Sequence, residues 1–214
     1  MNLKTAPREV RIIGGQWKRS KLPVPDAPGL RPTPDRVRET LFNWLGQNLE
    51  GWRVLDAFAG TGALGFEAAS RGAARVEMIE RDPRLLRSLQ ASAQKLQAAQ
   101  VQARCGDALA LMGDMATVAS VAAGTSAGSV VPGGSRPLGT ARAEFELVLL
   151  DPPFAEQLFE AAVLRAVPLL VPGGFLYLEA DRAFDAAQAQ AWGLQLHRHL
   201  RAGAVHAHLL CRPV

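Results

Sequence analysis

The chain has 214 residues, 48% of them hydrophobic and 21% charged, with a net charge of +4 and two cysteines. That balance excludes a disordered or fibrous polypeptide, and the length suffices for one domain with a full core. No apolar run reaches the ~20 residues of a membrane span. Met1 to Arg8 lacks the apolar centre of a secretory signal, and two cysteines make no disulfide framework, so a cytoplasmic protein with no membrane association is expected.

Charge is unevenly placed. Residues 1–38 hold nine Lys or Arg against three acids, a local +6, while the remainder is −2. A basic head on a near-neutral body reads as a phosphate-binding attachment, and a solvated tail rarely spends a Trp such as Trp17. Residues 10–13 and 22–24 predict two short strands around Gly14-Gly15 and the basic run Lys18-Arg19-Ser20-Lys21. Pro23, Pro25, Pro28, Pro32 and Pro34 then make an extended connector. A helix is expected from Asp35, which can cap it, through Leu41, Leu45 and Leu49.

The first sheet strand is expected at residues 53–56. It runs into Ala59-Gly60-Thr61-Gly62-Ala63-Leu64-Gly65 and a helical stretch. Glycines tolerate positive φ and let a ligand lie against bare backbone, and the helix start aims free N–H groups at whatever binds. Gly60, Gly62 and Gly65 match G-x-G-x-x-G, so a dinucleotide is one reading. Asp56 at the strand end points elsewhere, since a carboxylate repels a pyrophosphate and tolerates an ammonium. The next strand, 75–79, leads to Glu80, placed to chelate ribose hydroxyls in either kind of ligand. A helix opens at Asp82-Pro83 and runs to about residue 98, with Leu85, Leu86, Leu89 and Leu96 as its apolar stripe. The third strand, 101–105, leads to Gly106-Asp107-Ala108, where a carboxylate can accept from an adenine amine. A short helix is expected over 108–115.

Residues 117–142 are rich in Ala, Gly, Ser and Val without a period and read as a mobile insertion. Arg136 and Arg142 are their only cations, which argues against an RNA-contacting flap. The apolar run 145–150 predicts a buried strand that ends in Asp151-Pro152-Pro153-Phe154. The prolines fix φ, remove two N–H donors and stop the strand. The result is an acceptor-rich shelf beside a flat ring, suited to a planar base with an exocyclic amine. Asp151 and the Pro152 carbonyl would accept from the amine while Phe154 stacks on the ring. The plainer reading is a strand-ending turn. A helix over 156–170, a turn at Pro172-Gly173-Gly174, a fifth strand at 175–179 and an antiparallel hairpin over 194–200 and 205–211 complete the chain. All four histidines fall in that hairpin. Leucines are expected to face in and histidines out; no Cys–His spacing supports zinc.

Alternating strands and helices predict a parallel sheet with helices on both faces. Asp56, Glu80, Asp107 and Asp151 close four successive strands, and in a parallel sheet those ends share the ligand-binding edge. Asp56 and Asp107 together favour S-adenosylmethionine over a dinucleotide.

Arg11-Ile12-Ile13-Gly14-Gly15-Gln16-Trp17, the stretch from Arg31 to Leu45, the Asp56 to Gly65 loop and Asp151 to Phe154 together span most of the chain. They resemble the small-subunit ribosomal RNA guanine-N2 methyltransferases, which methylate a guanine in 16S RNA. The resemblance implies an α/β, Rossmann-like class I methyltransferase fold. Its sheet would be mostly parallel and seven-stranded, with helices on both faces, an antiparallel C-terminal hairpin and a small N-terminal β-hairpin extension. The implied division is a basic RNA-binding part, 1–34, and a methyltransferase domain, 35–214. The implied donor is S-adenosylmethionine, and the implied partner is 16S ribosomal RNA or a small ribosomal subunit assembly particle. The family has a shorter connection where 117–142 stands. A monomer is the default expectation.

On this reading Asp151, Pro152, Pro153 and Phe154 carry catalysis. The Gly60–Gly62 backbone, with Phe58 and Thr61, holds the methionine moiety and Asp56 faces its ammonium. Glu80 takes the ribose hydroxyls, and Asp107 with the Ala108 N–H reads the adenine. Arg11, Trp17, Lys18, Arg19, Lys21, Arg36 and Arg38 meet the RNA, although Arg36 and Arg38 have alternative helix partners in Asp35 and Glu39. Adenine-N6 methylation of DNA or RNA fits the shelf equally well. A dinucleotide-dependent oxidoreductase leaves the shelf unexplained, and a non-catalytic RNA-binding assembly factor would not need every strand-end motif intact.

Overall fold

A computed structural model describes residues 9–27, 30, 32–123 and 145–214. The chain opens with a two-stranded antiparallel hairpin, β1 (Glu9–Arg11) and β2 (Lys21–Pro23), with Val10 opposite Leu22. Both strands are displaced from the expected 10–13 and 22–24. The first ends early because the Ile13 and Gly14 N–H groups leave the ladder for the carboxylate of Glu67. Val10 and Leu22 are buried, so this hairpin docks on the body through an apolar face.

Seven strands form one sheet: β3 (Arg53–Asp56), β4 (Arg75–Glu80), β5 (Val101–Cys105), β6 (Phe145–Leu150), β7 (Leu170–Ala180), β8 (Gln195–Ala202) and β9 (Val205–Cys211). Their spatial order is β5-β4-β3-β6-β7-β9-β8. Every neighbouring pair from β5 to β7 is parallel, and β9 runs antiparallel to both β7 and β8. Chain order reverses between β3 and β6, the switch point at which open α/β sheets bind ligands. Buried on both faces, β6 needs its near-continuous apolar sequence.

Helices α1 (Asp35–Trp44), α2 (Ala63–Ser70) and α3 (Pro83–Lys95) pack on one face against Val54, Met78, Leu149 and Tyr177. Helices α4 (Ala108–Ala123), α5 (Phe159–Ala166) and α6 (Ala186–Ala191) cover the other, against Leu55, Ile79, Val148 and Leu178. All eight residues of α2 are buried, which its Ala, Gly and Ser content permits. Among the described residues no helix is long and apolar enough to cross a membrane.

Several expectations need correction. Asp35 opens α1 without capping it; the cap position is Pro34, and the Asp35 carboxylate bonds Arg38 and Arg11 instead. Helix α4 reaches Ala123, well beyond residue 115 and into the stretch read as an insertion; residues 124–142 of that stretch lie outside the described residues. The helix expected over 156–170 is broken into a 3-10 turn at Phe154–Glu156, then α5, then a second turn at Val167–Leu169, with Gln157 at φ 50° and Pro168 marking the breaks. Pro172-Gly173-Gly174 does not precede the fifth strand but lies inside β7. The Gly173 N–H donates to the Arg212 carbonyl and the Arg212 N–H to Gly174, while a register slip between Phe145 and Leu147 absorbs the irregularity. Helix α6 was not expected. The histidines do not all face out: His208 is fully buried, and the slip between Leu196 and Arg198 sets His199 opposite it.

Candidate active site

Side chains alternate along a strand, so each strand-final acid points the way its second-previous neighbour does. Val54, Met78, Leu149 and Tyr177 all belong to the α1–α3 face. Asp56, Glu80 and Asp151 therefore gather on that face at one sheet edge, and Glu179 joins them at the end of β7. Asp56 is 1% exposed. Its Oδ2 accepts from the Gly65 N–H at 2.9 Å. Burial, then the charges of Glu80 and Glu179, push its carboxyl up to about 7 despite that bond.

The glycine turn is built around these acids. Glu80 Oε2 accepts from the Gly60 N–H and Oε1 from the Asp82 N–H, both at 2.8 Å, so the strand-end acid ties the turn to the start of α3. Each oxygen keeps a second lone pair for a hydroxyl. Gly62 sits at φ 76° as the N-cap of α2. Gly65 must be glycine for a different reason: a Cβ there would stand 2.5 Å from the Met78 methyl and 2.9 Å from Asp56 Oδ2. Thr61 is buried and Phe58 half-buried. The connector passes over this turn, with a Leu30 methyl 3.1 Å from where a Gly60 Cβ would project. Asp107 is exposed beyond β5, and its Oδ1 accepts from the Ala110 N–H at 2.9 Å, capping α4, whose first residue is the buried Ala108.

The shelf lies one strand away. The Ala57 N–H donates to Leu149 across the β3–β6 pair, two residues before Asp151. Among the described residues no group donates to the Asp151 carboxylate or to the Pro152 carbonyl, whereas Pro153 O accepts from the Glu156 N–H at 3.1 Å. Pro152 is buried, Pro153 exposed and Phe154 half-buried. The Phe154 ring is tilted 59° on Phe159 at 5.8 Å between centroids. Gln157 buttresses the shelf: its Nε2 donates to Phe154 O at 2.8 Å and to Asp181 at 3.0 Å, and its Oε1 accepts from Arg182 at 2.6 Å. The Arg182 guanidinium lies over Phe159 and Phe184 at 5.2 and 5.3 Å. Arg81, just past β4, reaches Glu156 beside the shelf at 3.1 Å, bridging the strand ends on either side of β3.

The basic head divides into structural and exposed cations. Arg38, expected either to meet RNA or to pair along its own helix, follows the second reading: it is fully buried and paired with Asp35. Its Nη1 bonds Glu67 at 3.2 Å, Nη2 bonds Asp35 at 2.7 Å and Nε bonds the Thr33 carbonyl at 3.1 Å. Trp17 is half-buried against the core and its backbone N–H donates to Ser70 Oγ, so it anchors the hairpin. Lys18, Arg19 and Arg36 are exposed. Arg11 pairs with Asp35 at 3.4 Å and Lys21 with Glu9 at 2.7 Å, both on the surface.

Residues 10–122 match the family model described as Conserved hypothetical protein 95. Ribosomal RNA small subunit methyltransferase D of Escherichia coli strain K12 is 36% identical over 92% of this chain and 87% of its own length. The chain belongs to that family. The Haemophilus influenzae member is also 36% identical, over 88% of each chain. The solved yhhF structure from Escherichia coli superposes with a TM-score of 0.72 at 31% identity, covering 96% of this chain and 98% of that one.

Against the family framework, four residues around the site escaped sequence reading. Glu179 carried the signal of the other acids, since it nearly closes an apolar strand. Thr33, Gln157 and Glu67 carried none, because each acts through a partner distant in sequence: Glu179, Asp181 and Ile13 respectively.

Proposed function

We propose that this protein transfers a methyl group from S-adenosylmethionine to the exocyclic N2 amine of a guanine in 16S ribosomal RNA. Family membership supports an rRNA methyltransferase, and the names of the relatives support the small-subunit RNA as substrate. The observation that carries the chemistry is the adjacency of β3 and β6 at the switch point. It sets the glycine turn and its acids beside an acceptor shelf on one face of the sheet.

The donor offers an ammonium, a sulfonium, ribose hydroxyls and an adenine, and the residues present fit those groups. Asp56 is a buried carboxylate whose charge is unfavourable until a cation sits nearby. Glu80 has one unused lone pair on each oxygen, and Asp107 one oxygen beyond its capping bond. The left-handed Gly62 lets backbone approach closely at the start of α2. When bound, the donor supplies an activated methyl group and its own leaving group, so the protein must chiefly position and orient.

Positioning falls to the shelf. A guanine N2 lone pair is delocalised into the ring and nucleophilic only when its hydrogens are drawn aside. Asp151 and the Pro152 carbonyl accept those two hydrogens and aim the lone pair; both acceptors lack other donors among the described residues. Phe154 packs against the base once it has left its stack, a contact of roughly 1–3 kcal/mol. The proton that N2 sheds after transfer passes to Asp151. Lys18, Arg19 and Arg36, with the weakly paired Arg11 and Lys21, supply phosphate contacts.

The deciding experiment incubates the protein with labelled donor and small ribosomal particles from a strain lacking it, then maps the label. Methyl on a guanine N2 supports the proposal. Methyl on an adenine N6 transfers the shelf to the adenine reading, and absence of label on any RNA refutes both.

A further inference from the structure

Three carboxylates crowd the switch point: Asp56, Asp151 and Glu179. They are not equivalent. Glu179 is 3% exposed. Its Oε1 accepts from the Thr33 hydroxyl at 2.7 Å and from the Tyr177 hydroxyl at 2.9 Å. The connector helps hold it, because Arg38 grips the Thr33 carbonyl. Asp151 has no hydrogen-bond donor among the described residues, and it follows the last registered pair between these strands, Leu150 opposite Leu178, so Glu179 lies across from it. Adjacent strands are about 4.8 Å apart. Two carboxyl groups this close do not both ionise readily, and the one with donors keeps the charge.

Among the described residues, the charged and titratable groups facing Glu179 fit that division. Helix α1 contributes the Arg38 guanidinium, the connector the Thr33 hydroxyl, and its own strand Tyr177. From β6 and β3 come Asp151 and Asp56, and β9 places only Ala207 opposite. Both carboxyls are raised, Asp151 by desolvation first and then by the charges of Glu179 and Asp56. Asp151 keeps part of its surface open, but the protein mass around its carboxyl dominates.

We propose that Glu179 is a positioning residue that acts through Asp151: its hydrogen-bonded carboxylate, held across the β6–β7 pair, adds to burial in keeping Asp151 protonated while the donor pocket lacks a cation, and Asp151 ionises when a sulfonium binds there. This rests on the donor reading given under the proposed function. The cycle balances. On donor binding Asp151 releases its proton to solvent and becomes an acceptor for the amine. During transfer the N2 lone pair forms the new N–C bond, the C–S electron pair stays on sulfur, and the N2 proton goes to Asp151. Sulfur is then a neutral thioether and Asp151 is protonated again, as at rest.

The test is calorimetric titration of the full chain at pH 7 in buffers of different ionisation enthalpy, with S-adenosylmethionine and S-adenosylhomocysteine. Both ligands carry the ammonium that faces Asp56, so the difference in protons released isolates the group that senses the sulfonium. The wild-type protein is expected to release up to about one more proton with the sulfonium ligand. Glu179→Gln is expected to shrink the difference, because the charge that adds to burial in holding the Asp151 proton is then gone. Thr33→Val, which removes one donor and leaves Glu179 in place, is expected to reduce it. Equal proton counts in the wild type, or an undiminished difference in Glu179→Gln, overturn the inference while the donor reading stands. Failure of either ligand to bind overturns the donor reading and this inference with it.

Discussion

Removing the Glu67 carboxylate should loosen the N-terminal hairpin and destabilise the whole protein. Glu67 is fully buried on α2. It accepts from the Ile13 and Gly14 N–H groups at 2.7 and 2.8 Å, from Arg38 at 3.2 Å and from Arg71 at 2.8 Å. Glu67→Ala leaves the buried Arg38 guanidinium with Asp35 as its remaining acid and strands two backbone donors. Leaving one partner of a buried pair uncompensated costs about 3–5 kcal/mol. For a chain of this size each kcal/mol moves the melting temperature by roughly 2–4 °C, so a drop of roughly 6–20 °C is expected. Circular dichroism melting reads the shift, and limited trypsin digestion reads early cleavage at Lys18, Arg19 and Lys21. The double variant Glu67→Leu, Arg38→Met should recover part of the loss, since one of the two stranded guanidinium charges, that of Arg38, is gone while Arg71 stays without its acid. A single-variant melting temperature within about 2 °C of wild type, with unchanged digestion, would refute the anchoring role.

Asp151→Asn should lower methyl transfer by about 10²-fold or more while donor affinity survives; wild-type turnover removes Asp151 from the mechanism. Glu80→Ala should weaken donor binding by roughly 10–150-fold, the worth of hydrogen bonds to a charged group, and titration calorimetry measures it. Neutralising Lys18 and Arg19 should flatten the salt dependence of RNA binding by roughly 0.7–0.9 per lost phosphate contact, so an unchanged slope in filter binding returns the hairpin to a scaffold role. His208 yields a pH prediction. Burial lowers it to about 4, and its ring accepts from the Phe184 N–H at 3.0 Å as a neutral base. The unfolded chain binds a proton near pH 6.5 that the folded chain refuses until about 4, so this residue's contribution falls with pH at about 1.4 kcal/mol per unit within that window. His208→Gln keeps an acceptor and lacks the slope. Its stability deficit in urea should shrink by about 2–3 kcal/mol from pH 7 to 4.5, and a constant deficit contradicts the assignment.

Local pattern sufficed wherever one element decided the outcome. β3 and β5 fall where their apolar runs put them, at Arg53–Asp56 and Val101–Cys105, and Asp82 caps α3 with Pro83 at its first position. The strand-end acids were legible because parallel strands must end along one edge. Of the two readings of Arg38, pairing with Asp35 was legible from helix spacing, but its burial was not, because the second acid, Glu67, arrives with α2. His208 was misread because β9 lies between β7 and β8 and is buried on both faces over 207–210, so an alternation of leucines in and histidines out does not hold there. The Pro172-Gly173-Gly174 stretch was misplaced because its ladder partner is the chain's own tail at Arg212.

The two described ends that flank residues 124–144 lie away from the strand-end acids. Helix α4 leaves the ligand edge at Ala108 and travels about 24 Å over its sixteen residues, and β6 sets out at Phe145 toward that same edge. Ala123 and Phe145, the described residues on either side of 124–144, therefore stand at the rim opposite the strand-end acids. A reporter inserted between these two anchor points would be tethered to the end of the sheet away from the acids that close β3, β4 and β6.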